Sequence, residues 1–209
     1  MTTRALRASV MAAAEAVEAS RDELCRLDAA AGDGDHGVTM ALAARAVRQT
    51  LAASPDASGA ELVTKLAFAM GSVGGAIGPI YASGLLAISG ALRALPANET
   101  LTVPQILACA EAAESAISGL GQAKPGDKTI LDALDPAVVA LRQASAAGTD
   151  LDDALDAAAT AARDGAASTA TMIASIGRAS RFGERSRGLA DPGASSFALI
   201  MDALAASSG

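Results

Sequence analysis

Aromatic residues and histidine are scarce in this sequence. It contains no Trp, one Tyr and three Phe, so aromatic side chains make up 2% of its 209 residues. β-sandwiches and β-barrels are rich in β-branched and aromatic residues, and this composition argues against both. Binding of single-stranded nucleic acid by stacking on aromatic rings is excluded as well. Because His36 is the one histidine, a mechanism that needs two histidines on this chain is impossible.

Positive charge and cysteine are also in short supply. The chain has 16 Lys and Arg against 23 Asp and Glu, a formal net charge of −7. An acidic protein surface repels the phosphate backbone, which argues against non-specific binding of nucleic acid. Cys25 and Cys109 lie far apart with no CxxC motif, and we interpret them as reduced thiols of a cytoplasmic protein. The N-terminal segment resembles a signal peptide only faintly, because Glu15 and Glu18 follow its apolar run directly.

Alanine is abundant, with 55 copies, and 51% of the chain is apolar, which excludes a disordered protein. Alanine is the best helix former, and alanine-rich stretches alternate with breaks of Gly, Pro and Asp. The pattern predicts one all-α domain, residues 1–209, with about eight helices. The helices are expected approximately over 3–27, 37–53, 58–70, from 79 onward, 104–119, 128–148, 151–176 with a bend at Gly165, and from 192 nearly to the end.

One stretch without charge, residues 66–92, has to be weighed as a membrane span. Its length would allow it to cross a bilayer, but it contains six glycines and Pro79. These residues favour a helix, a tight loop and a second helix that starts near Pro79.

Three aspartates are concentrated in the first break between predicted helices. Asp28, Asp33 and Asp35 are interleaved with glycines just before a helix begins. Carboxylates at this density repel one another unless a cation lies among them, and glycine lets the backbone fold around such a cation. The alternative is a helix cap formed by Asp33 or Asp35, but a cap needs one aspartate. We therefore predict a Mg²⁺ site that holds phosphates; the Gly and Glu that an EF-hand requires are missing.

Three later breaks could also contact an anion. The stretch 71–79 has four glycines ahead of a helix, which suits either close approach of a ligand or close packing of helices. The stretch 121–129 approximates a P-loop but has one residue too many before Lys128 and no preceding strand, so a P-loop is rejected. A phosphate-contacting turn and a capped loop both stay open there. The stretch 177–188 carries four arginines, which favours anion binding over a solvated basic loop.

Taken together, these four breaks resemble the L subunit, or nucleotide-binding domain, of dihydroxyacetone kinases. The resembling stretches follow the family's order: Gly32–Gly37, Val73–Pro79, Lys124–Thr129, Gly177–Ser180, Gly183–Ser186 and Asp191–Ala194. The resemblance implies a barrel of eight antiparallel helices that binds a nucleotide through the loops at one end. It also implies a partner K-type subunit that holds the ketose through its own histidine, which agrees with the position of His36 inside the metal loop.

The functional residues of the family map onto these stretches or lie within a few residues of them. The resemblance implies that Asp28, Asp33 and Asp35 hold two Mg²⁺ ions, which clamp the phosphates of ATP or ADP. It places the nucleotide against His36, Gly37, Val38, Thr39, Ala76, Ile77, Gly78, Gly121, Thr129, Ile130, Arg178, Asp191, Pro192 and Gly193. It implies no catalytic residue on this chain beyond this metal and nucleotide site.

Four positions depart from the family pattern. Thr39 stands where Asn is common, and Ile77 stands where Ser is common. Arg181 and Leu189 replace an aromatic residue and a histidine. These changes could mark a relative that acts on another small ketose, such as erythrulose.

Three functions follow as hypotheses. The first is transfer of the ATP γ-phosphoryl group to a ketose, dihydroxyacetone or erythrulose, on the K-type subunit. The second keeps ADP permanently bound as a coenzyme, which a phosphocarrier protein of a phosphotransferase system rephosphorylates. The third is a non-catalytic module that senses a nucleotide or a partner. We expect a cytoplasmic protein with no nucleic-acid or membrane partner, and a homodimer stays open.

Overall fold

The computed structural model describes residues 1–95 and 100–207, and every regular element in those ranges is helical. The α-helices are α1 (Thr3–Ala19), α2 (Arg21–Ala29), α3 (His36–Ala52), α4 (Gly59–Gly71), α5 (Ile77–Ala94), α6 (Val103–Gly121), α7 (Leu131–Ala147), α8 (Leu151–Ser168) and α9 (Pro192–Ala206). Two 3₁₀ segments, Thr169–Thr171 and Ala179–Ser186, lie between α8 and α9. The all-α fold class predicted from the composition is confirmed.

Eight of these helices close into a ring. α1 packs against α3, each helix from α3 to α8 packs against the next one, and α9 returns to α1. The short α2 lies against α3 and α9. Most neighbours in sequence are joined by short connections, and the longer α8–α9 connection brings Arg178 to Asp33 in the α2–α3 connection. Consecutive helices of the ring are therefore antiparallel, as in the barrel that the resemblance implies. The α2–α3, α4–α5, α6–α7 and α8–α9 connections therefore meet at one end of the barrel.

Small residues allow α7, α8 and α9 to approach closely. Five alanines on these helices have no exposed surface: Ala133, Ala154, Ala158, Ala162 and Ala194. Gly165 lies inside α8, and a Cβ at this position would overlap the carbonyl oxygen of Asp132 on α7. The glycine at the predicted bend therefore serves helix packing.

The interior of the barrel is apolar and incompletely filled. A cavity of about 320 Å³ lies among aliphatic side chains that include Val10, Val47, Leu66, Leu85 and Leu134. Alanine shortens the distances between neighbouring helices, but its side chain does not reach the barrel axis. The abundance of alanine therefore accounts for both the close packing of neighbouring helices and the space at the centre of the ring.

The first predicted helix is wrong in its extent. The sequence predicts one helix over 3–27, but the chain leaves helical geometry at Ser20, where φ is −91° and ψ is 10°. Ser20 ends α1, and its carbonyl accepts the first hydrogen bond of α2, from the amide of Leu24. The interruption lets α2 pack separately against α3 and α9.

Two further boundaries differ from the prediction. The helix expected over 151–176 ends at Ser168, where Ser and Thr hydroxyls bond to carbonyls three residues back and the chain tightens into a 3₁₀ turn. The helix expected from Lys128 begins at Leu131, because Lys128 has a φ of 63° and cannot belong to a right-handed helix.

In the described part of the chain one helix, α5, is long and apolar enough to cross a membrane by length and composition, and 17% of it is buried. In the ring it packs between α4 and α6. The charge-free stretch does form a helix, a loop and a second helix, as predicted, with α5 beginning two residues before Pro79.

Candidate metal and nucleotide site

Three carboxylates meet in the connection between α2 and α3. Asp28 is in the last turn of α2, Asp33 and Asp35 follow in the loop, and one oxygen of each lies within 4.8 Å of the others. Glycine permits this geometry, because a Cβ at Gly32 would overlap the Asp28 carboxylate and Gly34 has a φ of 77°. The three residues predicted as metal ligands therefore lie together.

Asp28 also caps α3. Its Oδ2 accepts hydrogen bonds from the backbone amides of Asp35 (3.0 Å) and His36 (3.3 Å). The side chain of Asp35, which occupies the N-cap position, makes no capping bond. The capping role that the sequence left to Asp33 or Asp35 thus falls to Asp28, and the other two carboxylates are not needed to begin the helix.

The charges in this loop perturb one another. Desolvation and the negative charge of Asp33 raise the pKa of Asp35. Desolvation opposes ionisation of Asp33, but a hydrogen bond with its own backbone and the Arg178 guanidinium outweigh it and lower the pKa of Asp33. A divalent cation would relieve the repulsion, and a donor set made of carboxylate oxygens suits a hard ion such as Mg²⁺. The residues present therefore fit a magnesium site.

The first turn of α3 brings backbone amides next to the carboxylates. The amides of Gly37 and Val38 have no hydrogen-bond acceptor in the ranges that the structure describes, whereas the amide of Thr39 bonds to the carbonyl of Asp35 (2.9 Å). Val38 is exposed and Thr39 is half-buried. Unpaired amides at a helix N-terminus attract anions such as phosphate.

The imidazole of His36 is buried and ties α3 to α9. Its Nε2 lies 3.1 Å from Ser196 Oγ, and the hydroxyl of Tyr81 on α5 lies 3.5 Å from the same oxygen. Desolvation, partly offset by the charge of Asp28, lowers the pKa of His36. Sequence reasoning missed Ser196 and Tyr81, because no local pattern relates residues so far apart along the chain.

The glycines of the α4–α5 connection serve both purposes that the sequence allows, close packing of the chain and room for a ligand. A Cβ at Gly74 or Gly75 would have no atom within 4 Å, which leaves room for a ligand. Gly78 is buried, and a Cβ there would overlap the carbonyl of Val73. Close packing therefore explains Gly78, and open space surrounds Gly74 and Gly75.

Ile77 holds this connection beside α3. Its side chain packs on a cluster that contains Leu24 of α2 and Met40 of α3, while the preceding Ala76 is exposed. The position at which the resemblance leads one to expect Ser is thus occupied by an apolar side chain that joins the core. Ala76, Ile77 and Gly78 lie at the same end of the barrel as the carboxylates.

The α6–α7 connection is a capped loop, which was one of the two alternatives for this stretch. Asp132 accepts hydrogen bonds from the amides of Gly126 (2.5 Å) and Thr129 (2.7 Å), and Asp127 accepts from the amide of Lys124 (2.9 Å). These amides are already paired. Lys128 is buried and donates to backbone carbonyls of the α8–α9 connection.

The remaining residues predicted in this region lie on both sides of that loop. Gly121 is the exposed last residue of α6, and the Thr129 hydroxyl accepts from the amide of Leu131 (3.2 Å). Ile130 is buried, and its amide nitrogen lies 3.7 Å from where a Cβ of Gly193 would be. The start of α7 is therefore adjacent to the start of α9.

The arginine-rich α8–α9 connection reaches the carboxylate cluster through one arginine. Arg178 forms an ion pair with Asp33. Arg185 lies over the Phe182 ring, 5.4 Å from its centroid, and Arg187 lies 3.6 Å from Glu184. The structure therefore brings Arg178 to the predicted metal ligands.

The Asp191–Gly193 turn begins α9. Asp191 Oδ2 accepts from the amide of Ala194 (2.8 Å), and its own amide donates to the hydroxyl of Thr169 (2.7 Å). Pro192 occupies the first helical position, as the sequence predicts. Desolvation raises the pKa of Asp191 to about 6.

Comparison with known proteins identifies the family. The DAK2 domain matches residues 30–206, most of the chain. This chain belongs to the DAK2 domain family. It is 34% identical to the ADP-binding subunit DhaL of the PTS-dependent dihydroxyacetone kinase of Lactococcus lactis, over 91% of this chain and 90% of that one. It is 36% identical to L-erythrulose kinase of Pectobacterium atrosepticum, over 98% of this chain and 36% of that protein.

Solved structures agree with this assignment. The dihydroxyacetone kinase of C. freundii superposes with a TM-score of 0.76 in its native form and 0.71 in complex with AMP-PNP and Mg²⁺, at 28% and 27% identity. The superpositions cover 97% and 96% of this chain but 34% and 33% of that kinase. The DAK2-family chain therefore spans about a third of the C. freundii and Pectobacterium kinases and nine-tenths of the Lactococcus subunit. All three relatives are named as kinases or kinase subunits.

Proposed function

We propose that this chain binds ADP through Mg²⁺ and serves as the nucleotide subunit of a ketose kinase. The observation that carries the proposal is the cluster of Asp28, Asp33 and Asp35 at the end of the barrel where four connections meet. The Lactococcus relative, which matches over nearly its full length, is named as an ADP-binding subunit. The cluster faces the first turn of α3, whose unpaired amides suit phosphate.

Specific roles follow for the residues of this end. Asp28, Asp33 and Asp35 would hold two Mg²⁺ ions, which neutralise phosphate charge when bound. The nucleotide would contact His36, Gly37, Val38, Thr39, Ala76, Ile77, Gly78, Gly121, Thr129, Ile130, Arg178, Asp191, Pro192 and Gly193. His36 would serve to position the start of α3 at the site, because its ring is buried and bonded to Ser196 of α9.

The source of the phosphoryl group is proposed to be a phosphocarrier protein. The sequence placed exchange of ATP first and retention of ADP second, and the comparisons favour the second. Relatives that match over most of both chains include the ADP-binding subunit of a PTS-dependent kinase. ADP would then stay bound, be phosphorylated in place, and pass the group to a ketose hydroxyl on a K-type subunit.

ATP-dependent phosphorylation of erythrulose is the second candidate. It is favoured by the 36% identity to L-erythrulose kinase over 98% of this chain. Because this chain spans 36% of that kinase, the ketose site would lie outside the matched region. The two candidates share the nucleotide site and differ in whether the nucleotide leaves after each turnover.

Retention of the nucleotide separates the two candidates directly. The purified chain would be denatured, and any released nucleotide would be identified by chromatography. A separate sample of the native chain would be mixed with a K-type subunit, Mg²⁺ and either dihydroxyacetone or erythrulose, with ATP in one reaction and a phosphorylated phosphocarrier in another. Stoichiometric ADP and turnover with the phosphocarrier support the first candidate, and turnover with ATP supports the second. Binding without turnover from either donor indicates a nucleotide-sensing module, and absence of Mg-dependent binding contradicts all three.

We also propose that residues 1–209 act as one domain in the cytoplasm, without a nucleic-acid or membrane partner. The net charge of −7 and the unpaired Cys25 and Cys109 support this proposal. A homodimer stays open, and light scattering of the purified chain would decide it.

A further inference from the structure

Lys128 is a buried lysine that the proposed nucleotide contacts leave unused. It is 5% exposed, and its Nζ donates to the carbonyl oxygens of Thr169 (2.9 Å), Ser186 (2.5 Å) and Leu189 (2.8 Å). The carbonyl of Met172 lies farther away, at 3.4 Å. An ammonium group has three N–H donors, so the three shorter bonds satisfy it completely.

The carbonyls around this ammonium belong to both ends of one segment, residues 169–189. The segment leaves α8, carries Arg178 to the carboxylate cluster, and returns to the start of α9. Within it, the ends also meet directly, because the amide of Gly188 bonds to the carbonyl of Ala170 (2.8 Å). Lys128 is thus bonded to both ends of the segment while Arg178 lies between them.

The neighbouring Asp127 attaches the same segment at another point. Its Oδ1 accepts from Ser175 Oγ (2.6 Å), and its carbonyl accepts from the amide of Ser175 (3.2 Å). Ser175 precedes Arg178, and Ser186 follows it. The α6–α7 connection therefore holds the segment on both sides of the arginine.

The backbone of Lys128 adopts a conformation that glycine reaches more easily. Its φ of 63° costs an L-residue about 1 kcal/mol. The bonds of the ammonium group offset this cost. A glycine here would relax the backbone but lose those bonds, which makes the two effects separable by mutation.

We propose that Lys128 is a positioning residue, which gathers the ends of the 169–189 segment so that Arg178 stays at Asp33. The inference rests on the proposed function, in which Arg178 contacts the nucleotide. Without the ammonium group, the segment leaves this arrangement for part of the time. The apparent affinity for the nucleotide is then the intrinsic affinity multiplied by the fraction of time that the arrangement is kept.

The test compares two variants that remove the ammonium group in different ways. K128M keeps most of the length of the side chain, and K128G relaxes the backbone. Hydrogen exchange is expected to speed up in 169–189 and to stay unchanged in α3–α5 for both variants. Calorimetric titration with ADP and Mg²⁺, below the melting temperature of each variant, is expected to show about a tenfold loss of affinity. If K128M and K128G do not fold, K128R keeps the charge, and its planar group is expected to cost about threefold.

K65M is the control, because Lys65 is an exposed lysine whose Nζ donates to Ser54 Oγ near the opposite end of α3 (3.1 Å). It is expected to bind Mg²⁺–ADP like the wild type. Wild-type exchange in 169–189 for K128M and K128G, or wild-type affinity in a folded variant of Lys128, would overturn the positioning role. If the wild type itself does not bind Mg²⁺–ADP, the proposed function fails. Hydrogen exchange in residues 169–189 of K128M and K128G then still decides whether Lys128 holds the two ends of the segment together.

Discussion

Asp28 has a structural role besides its proposed part in metal binding, and Asp33 has much less of one. Asp28 begins α3 through two amides, whereas the side chain of Asp33 is half-exposed and pairs with Arg178. Asp33→Asn is therefore expected to weaken Mg²⁺-dependent ADP binding at least tenfold, about 1.4 kcal/mol. The free energy of unfolding should change by no more than about 0.5 kcal/mol. Calorimetric titration and urea unfolding measure the two quantities.

Asp22→Asn provides the matched control for this substitution. Asp22 lies in the first turn of α2 and its side chain is 96% exposed, but it lies outside the carboxylate cluster. The Asp22→Asn variant should bind Mg²⁺–ADP as the wild type does. Unchanged binding by Asp33→Asn would remove Asp33 from the metal site.

Asp191 predicts a pH dependence of stability. Its folded-state pKa of about 6 is above the ordinary value of 3.8, so the folded protein binds this proton more tightly than the unfolded chain. The stabilisation is complete below pH 3.8 and is lost as the pH rises through 6. Asp191→Asn keeps a capping oxygen without the charge and should be more stable than the wild type at pH 7 by about 3 kcal/mol.

Urea unfolding at pH 4 and pH 7 tests this expectation. The difference between Asp191→Asn and the wild type should shrink towards zero at the lower pH. Asp150→Asn is the control, because Asp150 caps α8 from an exposed position (3.0 Å to the amide of Asp153). A gain of equal size in both variants would show that the effect does not come from burial of Asp191.

The contact between α7 and α8 depends on a missing Cβ. Gly165→Ala would place a methyl group on the backbone of Asp132 and on Pro136, and overpacking of this kind costs about 1–3 kcal/mol. Gly90→Ala, at an exposed position inside α5 with open space around it, should instead stabilise the protein by about 0.5–1 kcal/mol. Thermal unfolding of the two variants should shift in opposite directions. A stabilised Gly165→Ala variant would contradict the close contact.

Helix ends with local signals were predictable, and those with distant causes were not. Asp150 and the Asp191–Pro192 pair mark the starts of α8 and α9 in sequence and in structure. The predicted start of α7 is wrong because Lys128 has a φ of 63°, and its ammonium group bonds to carbonyls 41 to 61 positions away. The break at Ser20 likewise accompanies packing of α2 on α9.

The arrangement of the barrel predicts which connections a bound nucleotide protects from hydrogen exchange. Saturating Mg²⁺–ADP should slow hydrogen exchange in the four connections at the carboxylate end: 30–35, 72–76, 122–130 and 169–191. The α3–α4 and α7–α8 connections, at the opposite end, should exchange as before. Binding that favours the folded state should also raise stability, by about 2.7 kcal/mol at a hundredfold excess over Kd. Protection of the opposite end, or a shift that persists in EDTA, would contradict this site.

Composition and local motifs were sufficient for the fold class and for the three carboxylates. Alanine abundance and scarce aromatic residues predict helices, since propensity and apolar periodicity act over a few residues. Asp28, Asp33 and Asp35 share one loop, so their proximity follows from chain connectivity. The family resemblance supplied the nucleotide contacts, and those contacts stay predictions.

Other features depend on residues that meet across the barrel. The pairing of Arg178 with Asp33, of His36 with Ser196, and of Lys128 with the 169–189 segment joins positions far apart in sequence. No local pattern encodes such contacts, because they exist only after the ring of helices has closed. The single histidine illustrates the difference. Its count excluded a two-histidine mechanism at once, but the closed fold determined that its ring bonds to α9.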